Sequence, residues 1–68
     1  MPEITVNLGA GRSNETKEKL MRAITQAVVS SIGAPIEAVV VTIIENPLTD
    51  KMKGGILFTE RAKNRVGK

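Results

Sequence analysis

The chain has 68 residues, with ten lysine or arginine residues against seven aspartate or glutamate residues, and it contains neither cysteine nor histidine. The missing cysteine and histidine exclude a disulfide framework, a thiol nucleophile, a histidine base and the zinc sites that need either ligand. A chain this short forms one domain at most, here residues 1–68, and buries only about 60% of its unfolded surface, so oligomerisation is the remaining means of stabilisation.

A strand is predicted at the N-terminus, from Pro2 to Leu8. Polar and apolar residues alternate along this segment, and a period of two is typical of a strand with unlike faces. The glycine-rich segment from Gly9 to Gly11 then interrupts the alternation. We therefore expect the first strand to end at Leu8.

A helix is predicted next, from about Ser13 to about Ile32. The Ser13 hydroxyl is a typical N-cap, and Gly33 and Pro35 are typical of a helix C-terminus. Apolar residues recur between these limits at intervals of three and four, namely Leu20, Met21, Ile24, Val28 and Ile32. One face of this helix is therefore expected to be buried.

A second strand is predicted over residues 39–44, where β-branched residues follow one another without interruption. Such a run is typical of a strand that is covered on both faces in a parallel sheet. Strand, helix and strand together predict an α/β fold made of a single right-handed βαβ unit with two parallel strands and one helix. Because so few elements cannot cover both faces of this run, we expect other subunits to extend the sheet or to pack on it.

The last third of the chain predicts a loop, a turn at Gly54-Gly55 and a short C-terminal hairpin or strand at residues 56–58. Residues 61–68 are basic and are expected to form a flexible tail. Nucleic-acid binding through this tail is one interpretation, but the single aromatic residue and the lack of a recognition motif argue against it. No membrane-length apolar stretch or signal pattern occurs, so we expect a cytoplasmic protein without a membrane partner.

Pro2 is the candidate catalytic residue. Methionine before proline is commonly removed, which would leave Pro2 with a free secondary amine. An α-amino group has a reference pKa of about 7.7–8.0, which an apolar site or nearby cations lower, so such an amine can act as a base at pH 7. The alternative interpretation is that Pro2 simply begins an edge strand, where no backbone donor is needed. A retained Met1 would make the proline nitrogen an amide without basicity.

From residue 2 to about residue 58 the chain resembles the 4-oxalocrotonate tautomerase family. The resemblance rests on Pro2-Glu3-Ile4-Thr5-Val6, Gly11-Arg12-Ser13, Ala34-Pro35, Ile43-Ile44-Glu45 and Gly54-Gly55. It implies a short βαβ subunit that assembles into hexamers, as trimers of dimers, and that requires no cofactor. It also implies a tautomerase or isomerase of small unsaturated enol or keto acids similar to 2-hydroxymuconate, in the degradation of aromatic compounds.

Two site residues follow from the resemblance. Pro2 matches the proline that acts as general base and then as general acid, and Arg12 matches the arginine that holds a substrate carboxylate. A guanidinium suits that task, because its planar fork donates two parallel hydrogen bonds. The alternative for Arg12 is a surface arginine, but a cation beside the positive end of a helix favours anion binding more than stability.

Two positions depart from the family pattern. Val40 stands where the best-studied members have a second arginine, and Lys51 stands where they have an aromatic residue in the pocket. Lys51 or Lys53 either supplies the lost positive charge or is a solvated loop lysine. These departures leave a second hypothesis open, in which the chain is a weakly active or non-catalytic subunit of a hetero-hexamer of isomerase or dehalogenase type whose partner chain supplies the missing residues.

Overall fold

A computed structural model describes the backbone of residues 1–64 and the side chains of residues 1–61. Strand β1 (Glu3–Gly9) leads into helix α1 (Asn14–Ile32), a 3-10 turn (Ile36–Ala38) and strand β2 (Val40–Asn46). A second 3-10 turn (Leu48–Asp50), strands β3 (Met52–Lys53) and β4 (Ile56–Leu57) and helix α2 (Phe58–Asn64) follow. The predicted βαβ unit and C-terminal hairpin are both confirmed.

Helix α1 begins and ends at the residues that the sequence indicates. The Ser13 hydroxyl accepts a hydrogen bond from the backbone N–H of Thr16 at 3.1 Å, which satisfies one of the free donors of the first turn. At the other end Gly33 adopts a left-handed conformation with φ of 72°, and its N–H donates to the carbonyl of Val29 at 3.0 Å. A residue with a Cβ would be strained in this conformation, so glycine ends the helix here.

Strands β1 and β2 run parallel and pair from Glu3 opposite Val40 to Gly9 opposite Asn46. Both strands extend slightly beyond their predicted C-terminal ends, because Gly9 and Asn46 pair and the N–H of Ala10 donates to the carbonyl of Asn46 at 2.9 Å. The glycine-rich turn therefore begins one residue later than its composition suggests.

The sheet has one face toward α1 and one open face. The first is formed by Ile4, Val6, Leu8, Val41, Ile43 and Glu45, and the open face by Glu3, Thr5, Asn7, Val40, Thr42 and Ile44. Among the described residues no element covers the open face, and Ile44 is 46% exposed there. The β2 half of this face, which includes Val40 and Ile44, is its apolar half.

The segment of residues 47–64, here named the C-terminal arm, holds the greatest difference from the prediction. Helix α2 packs on the second 3-10 turn and on β4, whereas the sequence shows no N-cap residue that would have indicated this helix. Residues 61–64 of the expected tail are helical, and residues 65–68 lie outside the described residues. The β3–β4 turn uses Gly54 and Gly55 with φ of 61° and 81°, as a two-residue hairpin requires.

The chain is poorly buried for its size. Among residues 1–61 no side chain is fully buried, and large apolar residues such as Ile32 and Met52 are 67% and 60% exposed. The accessible surface is 5221 Å², whereas a folded monomer of this mass is expected to expose about 4,200 Å². An excess of roughly 1,000 Å² is the size of one side of a stable protein interface, which agrees with the expected need for other subunits.

Candidate functional site

Pro2 lies at the head of β1, beside the C-terminal half of α1. It is half-buried, and its carbonyl accepts a hydrogen bond from the N–H of Val40 at 3.0 Å. A mostly apolar groove of ≈ 490 Å³ opens beside it and is lined by Pro2, Ile4, Ile24, Ala27, Val28 and Ile32, together with the polar residues Glu3 and Ser31. A free amine at this position would therefore have apolar carbon on one side.

Val40 is the residue that holds Pro2 in place through the backbone. It is the first residue of β2, it pairs with Glu3, and its side chain is half-buried on the open face of the sheet. The position where an arginine was expected from the resemblance thus lies next to Pro2 and carries no charge. Any cation that acts on a substrate at Pro2 has to come from elsewhere in the protein.

Arg12 lies in the turn between β1 and α1, at the opposite end of the strand from Pro2. Its side chain is exposed, and its Nη1 donates to the carbonyl of Gly9 at 3.3 Å. Arg12 directly precedes Ser13, the N-cap of α1. The guanidinium and the positive end of the helix therefore lie close together, which favours binding of an anion at this end of the sheet.

Two interactions that the sequence did not indicate hold the turn of Arg12. Lys17 Nζ lies 2.9 Å from Glu45 Oε1 and joins the first turns of α1 to the end of β2, with the two side chains only 19% and 31% exposed. The side-chain amide of Asn46 donates to the carbonyl of Leu8 at 3.5 Å. A separation of 28 residues between Lys17 and Glu45 leaves no local pattern from which this ion pair could have been found.

The structure does not bring Pro2 and Arg12 together within one chain. The length of β1 lies between them, and at about 3.3 Å for each residue this separates the proline from the turn of Arg12 by roughly 20 Å. One small substrate cannot contact both residues of the same subunit. If both act on one molecule, they must come from different subunits.

Lys51 lies in the C-terminal arm and is half-buried. Its ammonium lies 4.9 Å from the centre of the Phe58 ring, and its carbonyl accepts a hydrogen bond from the N–H of Phe58 at 2.9 Å. Phe58 of α2 therefore lies beside position 51, where the resemblance implies an aromatic residue. The sequence distinguishes Phe58 only as the single aromatic residue of the chain and does not indicate its contact with Lys51.

The described residues contain no cluster of three or more carboxylate, histidine or cysteine residues that could hold a metal ion. Among the helices of the described part of the chain, none combines the length and the apolar character that a membrane crossing requires.

Comparison with known proteins agrees with this architecture. The family model described as "Tautomerase enzyme" matches residues 2–61. A protein of Bradyrhizobium diazoefficiens named "Probable tautomerase" is 55% identical over 62 residues, which cover 91% of this chain and 92% of that protein. A 2-hydroxymuconate tautomerase of Pseudomonas fluorescens is 47% identical over 47 residues, which cover 69% of this chain and 75% of the relative.

A solved structure has the same fold. A heterohexamer 4-oxalocrotonate tautomerase from Chloroflexus aurantiacus superposes with a TM-score of 0.84 at 33% sequence identity, over 88% of this chain and 97% of that chain. The family model covers nearly the whole described chain, and the parallel βαβ unit with its C-terminal hairpin is the fold of the solved relative. The chain therefore belongs to the tautomerase family.

Proposed function

We propose that this tautomerase-family isomerase acts, without a cofactor, on small unsaturated enol and keto acids similar to 2-hydroxymuconate. The observation that carries the proposal is the position of Pro2, half-buried at the mouth of an apolar groove and one residue before β1. Removal of Met1, which is 88% exposed, would free the proline nitrogen at that place. The 47% identity to a 2-hydroxymuconate tautomerase supports the same class of substrate.

In the proposed reaction the Pro2 amine first acts as a base and then as an acid. It takes the proton of the enol hydroxyl, and the resulting ammonium returns a proton to a carbon of the conjugated chain, so that the product is the conjugated ketone. Apolar surroundings disfavour the charged ammonium form and so keep the amine available as a base near neutral pH. The groove beside Ile24 and Val28 provides such surroundings.

Arg12 holds a carboxylate of the substrate in this proposal, and it does so from a neighbouring subunit. The separation of roughly 20 Å between Pro2 and the Arg12 turn requires this. A second copy whose strands run in the opposite direction would bring its Arg12 to the Pro2 end of the first. We therefore propose a hexamer in which each site combines residues of different subunits.

A second candidate function is that of a weakly active or non-catalytic subunit in a hetero-hexamer. The uncharged Val40 beside Pro2 favours it, because a partner chain of the same fold could supply the cation that is missing there. The similarity to a subunit of a heterohexamer tautomerase is consistent with this assembly. In that case the purified chain would have little activity until the partner is added.

The test is an intact-mass measurement followed by an ultraviolet assay with 2-hydroxymuconate on the same sample. The wild type is expected to have lost Met1, and Pro2→Ala is expected to lower kcat/KM by about 10²–10⁴-fold, the usual contribution of a general acid–base group. Pro35→Ala is the matched control, because Pro35 is exposed and is not among the residues that line the groove.

The opposite outcomes are equally informative. Retention of Met1 in the native protein, or equal rates for the wild type and Pro2→Ala, would refute the proline mechanism. A processed wild type that is inactive alone but gains activity on addition of a homologous chain would establish the second candidate.

A further inference from the structure

We propose that Lys51 and Arg61 form a carboxylate-binding site on the C-terminal arm, with Phe58 as its apolar wall. We further propose that this site holds the carboxylate of a dicarboxylate substrate that Arg12 does not hold. The first statement rests on the geometry of the arm alone, and the second rests on the proposed function.

The environment of Lys51 is the first observation. A lysine side chain is normally solvated, yet Lys51 is half-buried and its ammonium lies 4.9 Å from the centre of the Phe58 ring. A cation at this distance is attracted by the face of the ring and has lost part of its water. The ring therefore helps to hold the Lys51 ammonium in one position beside α2.

Arg61 provides a second cation on the same side of the arm. It lies three residues after Phe58 in α2, so both side chains lie on one face of the helix. Its Nη2 donates to the carbonyl of Lys53 at 3.2 Å, and its buried Nε has no hydrogen-bond partner among the described residues. A guanidinium carries several donors in a planar fork, and the bond to the Lys53 carbonyl is the single hydrogen bond of the Arg61 side chain among the described residues.

No carboxylate among the described residues neutralises these two cations. The ion pairs of residues 1–61 are Lys17 with Glu45 and Arg22 with Glu18, both outside the arm. The acidic residues of the arm, Asp50 and Glu60, are exposed, and Asp50 accepts a hydrogen bond from Thr49. Because partly buried charges are costly without a counter-charge, the arrangement favours an anion from outside the chain.

The location of the arm fits the second half of the proposal. Leu48 packs so closely on Gly9 that a Cβ at Gly9 would lie 3.0 Å from Leu48 Cδ2, which places the base of the arm beside the Arg12 turn. The arm that carries Lys51 and Arg61 therefore begins at the end of the sheet where Arg12 lies. A molecule with two carboxylates and an unsaturated carbon chain matches two cationic sites with an apolar ring at one of them.

The test compares two ligands that differ by one carboxylate, by isothermal titration calorimetry on the full-length protein. trans,trans-Muconate has a carboxylate at each end of a diene, whereas sorbate has the same diene geometry with a carboxylate at one end and a methyl group at the other. Lys51→Met keeps an unbranched side chain but removes the charge. It is expected to weaken muconate binding by about 10–100-fold, the effect of losing a charged hydrogen bond. The affinity for sorbate is expected to change by less than about twofold.

Two further variants make the comparison specific. Lys53→Met is the matched control and is expected to leave both affinities unchanged, because the Lys53 side chain is exposed and only its carbonyl contacts Arg61. Arg61→Met is expected to act on muconate as Lys51→Met does, and native mass is recorded for each variant. If Arg61→Met alters the assembly, Lys51→Met alone decides.

The outcomes separate this inference from the proposed function. If the wild type does not bind muconate, or if Lys51→Met leaves muconate affinity unchanged, the inference is overturned. If Lys51→Met weakens both ligands equally, the assignment of the site to the second carboxylate is overturned. If 2-hydroxymuconate is converted and the affinity for muconate does not depend on Lys51, the proposed function stands and the carboxylate site is overturned. If the wild type is inactive but binds muconate in a Lys51-dependent manner, the carboxylate site stands and the proposed function fails.

Discussion

The ion pair between Lys17 and Glu45 joins the beginning of α1 to the end of β2, and we expect it to contribute measurably to the stability of the fold. Lys17 Nζ and Glu45 Oε1 are 2.9 Å apart, and the side chains are 19% and 31% exposed. We would remove the charges separately and together, with Lys17→Met, Glu45→Gln and the double variant. A double-mutant cycle of this kind isolates the energy of the pair from the effects of each residue alone.

The magnitude follows from the partial burial of the pair. Exposed ion pairs contribute about 0.2–1 kcal/mol, whereas hydrogen bonds to charged groups in less solvated sites contribute about 1.5–3 kcal/mol. With exposed fractions below one third, we expect a coupling energy of about 1–2 kcal/mol for this pair. The pair of Glu18 and Arg22, whose side chains are 58% and 74% exposed, is the internal control, with an expected coupling of about 0.3–0.5 kcal/mol.

The measurement is urea unfolding of all variants at one fixed subunit concentration, because the stability of an oligomer depends on concentration. The cycle is repeated at low and high salt, and the coupling of Glu18 with Arg22 should fall more steeply with salt, because solvent-exposed charges are screened more strongly. A coupling for Lys17 and Glu45 below about 0.5 kcal/mol, or equal to that of the control pair, would refute the reasoning.

Two further predictions concern assembly and helix capping. Ile44→Asp places a charge on the open face of the sheet and is expected to shift the native mass toward smaller species in analytical ultracentrifugation. Gln26→Asp, on the exposed face of α1, is the control and is expected to leave the native mass unchanged. An unchanged mass for Ile44→Asp would mean that the open face is not an interface. Ser13→Ala removes the acceptor of the Thr16 N–H. Urea unfolding is expected to show a free energy of unfolding that is lower by about 1 kcal/mol. An unchanged free energy of unfolding would mean that the cap is not formed in solution.

The βαβ unit could be predicted from the sequence because its signals are local. The alternation from Glu3 to Leu8 and the Ser13 and Gly33 caps each depend on residues that are neighbours in the chain, and the structure places the elements within about two residues of the expected limits. The apolar run of β2 indicated that one chain does not cover it on both faces, and in the described part of the chain about half of its side chains lie on the open face of the sheet.

The C-terminal arm could not be predicted in the same way. Helix α2 has no capping signal, and it forms where Phe58 and its neighbours pack on the second 3-10 turn and on β4. The proximity of Lys51 to Phe58, and of Arg61 to the carbonyl of Lys53, follows from that packing. No spacing in the sequence indicates that these residues share one surface.

The sequence by itself determined the strand–helix–strand order, the family to which the chain is similar and the two residues, Pro2 and Arg12, on which its chemistry is proposed to depend. Tertiary structure alone decided where these residues lie. Strand β1 separates Pro2 from the Arg12 turn, and its parallel pairing with β2 places Val40 beside the proline. Since side chains at opposite ends of a rigid strand cannot meet on one small molecule, a site that uses both has to be built from more than one subunit.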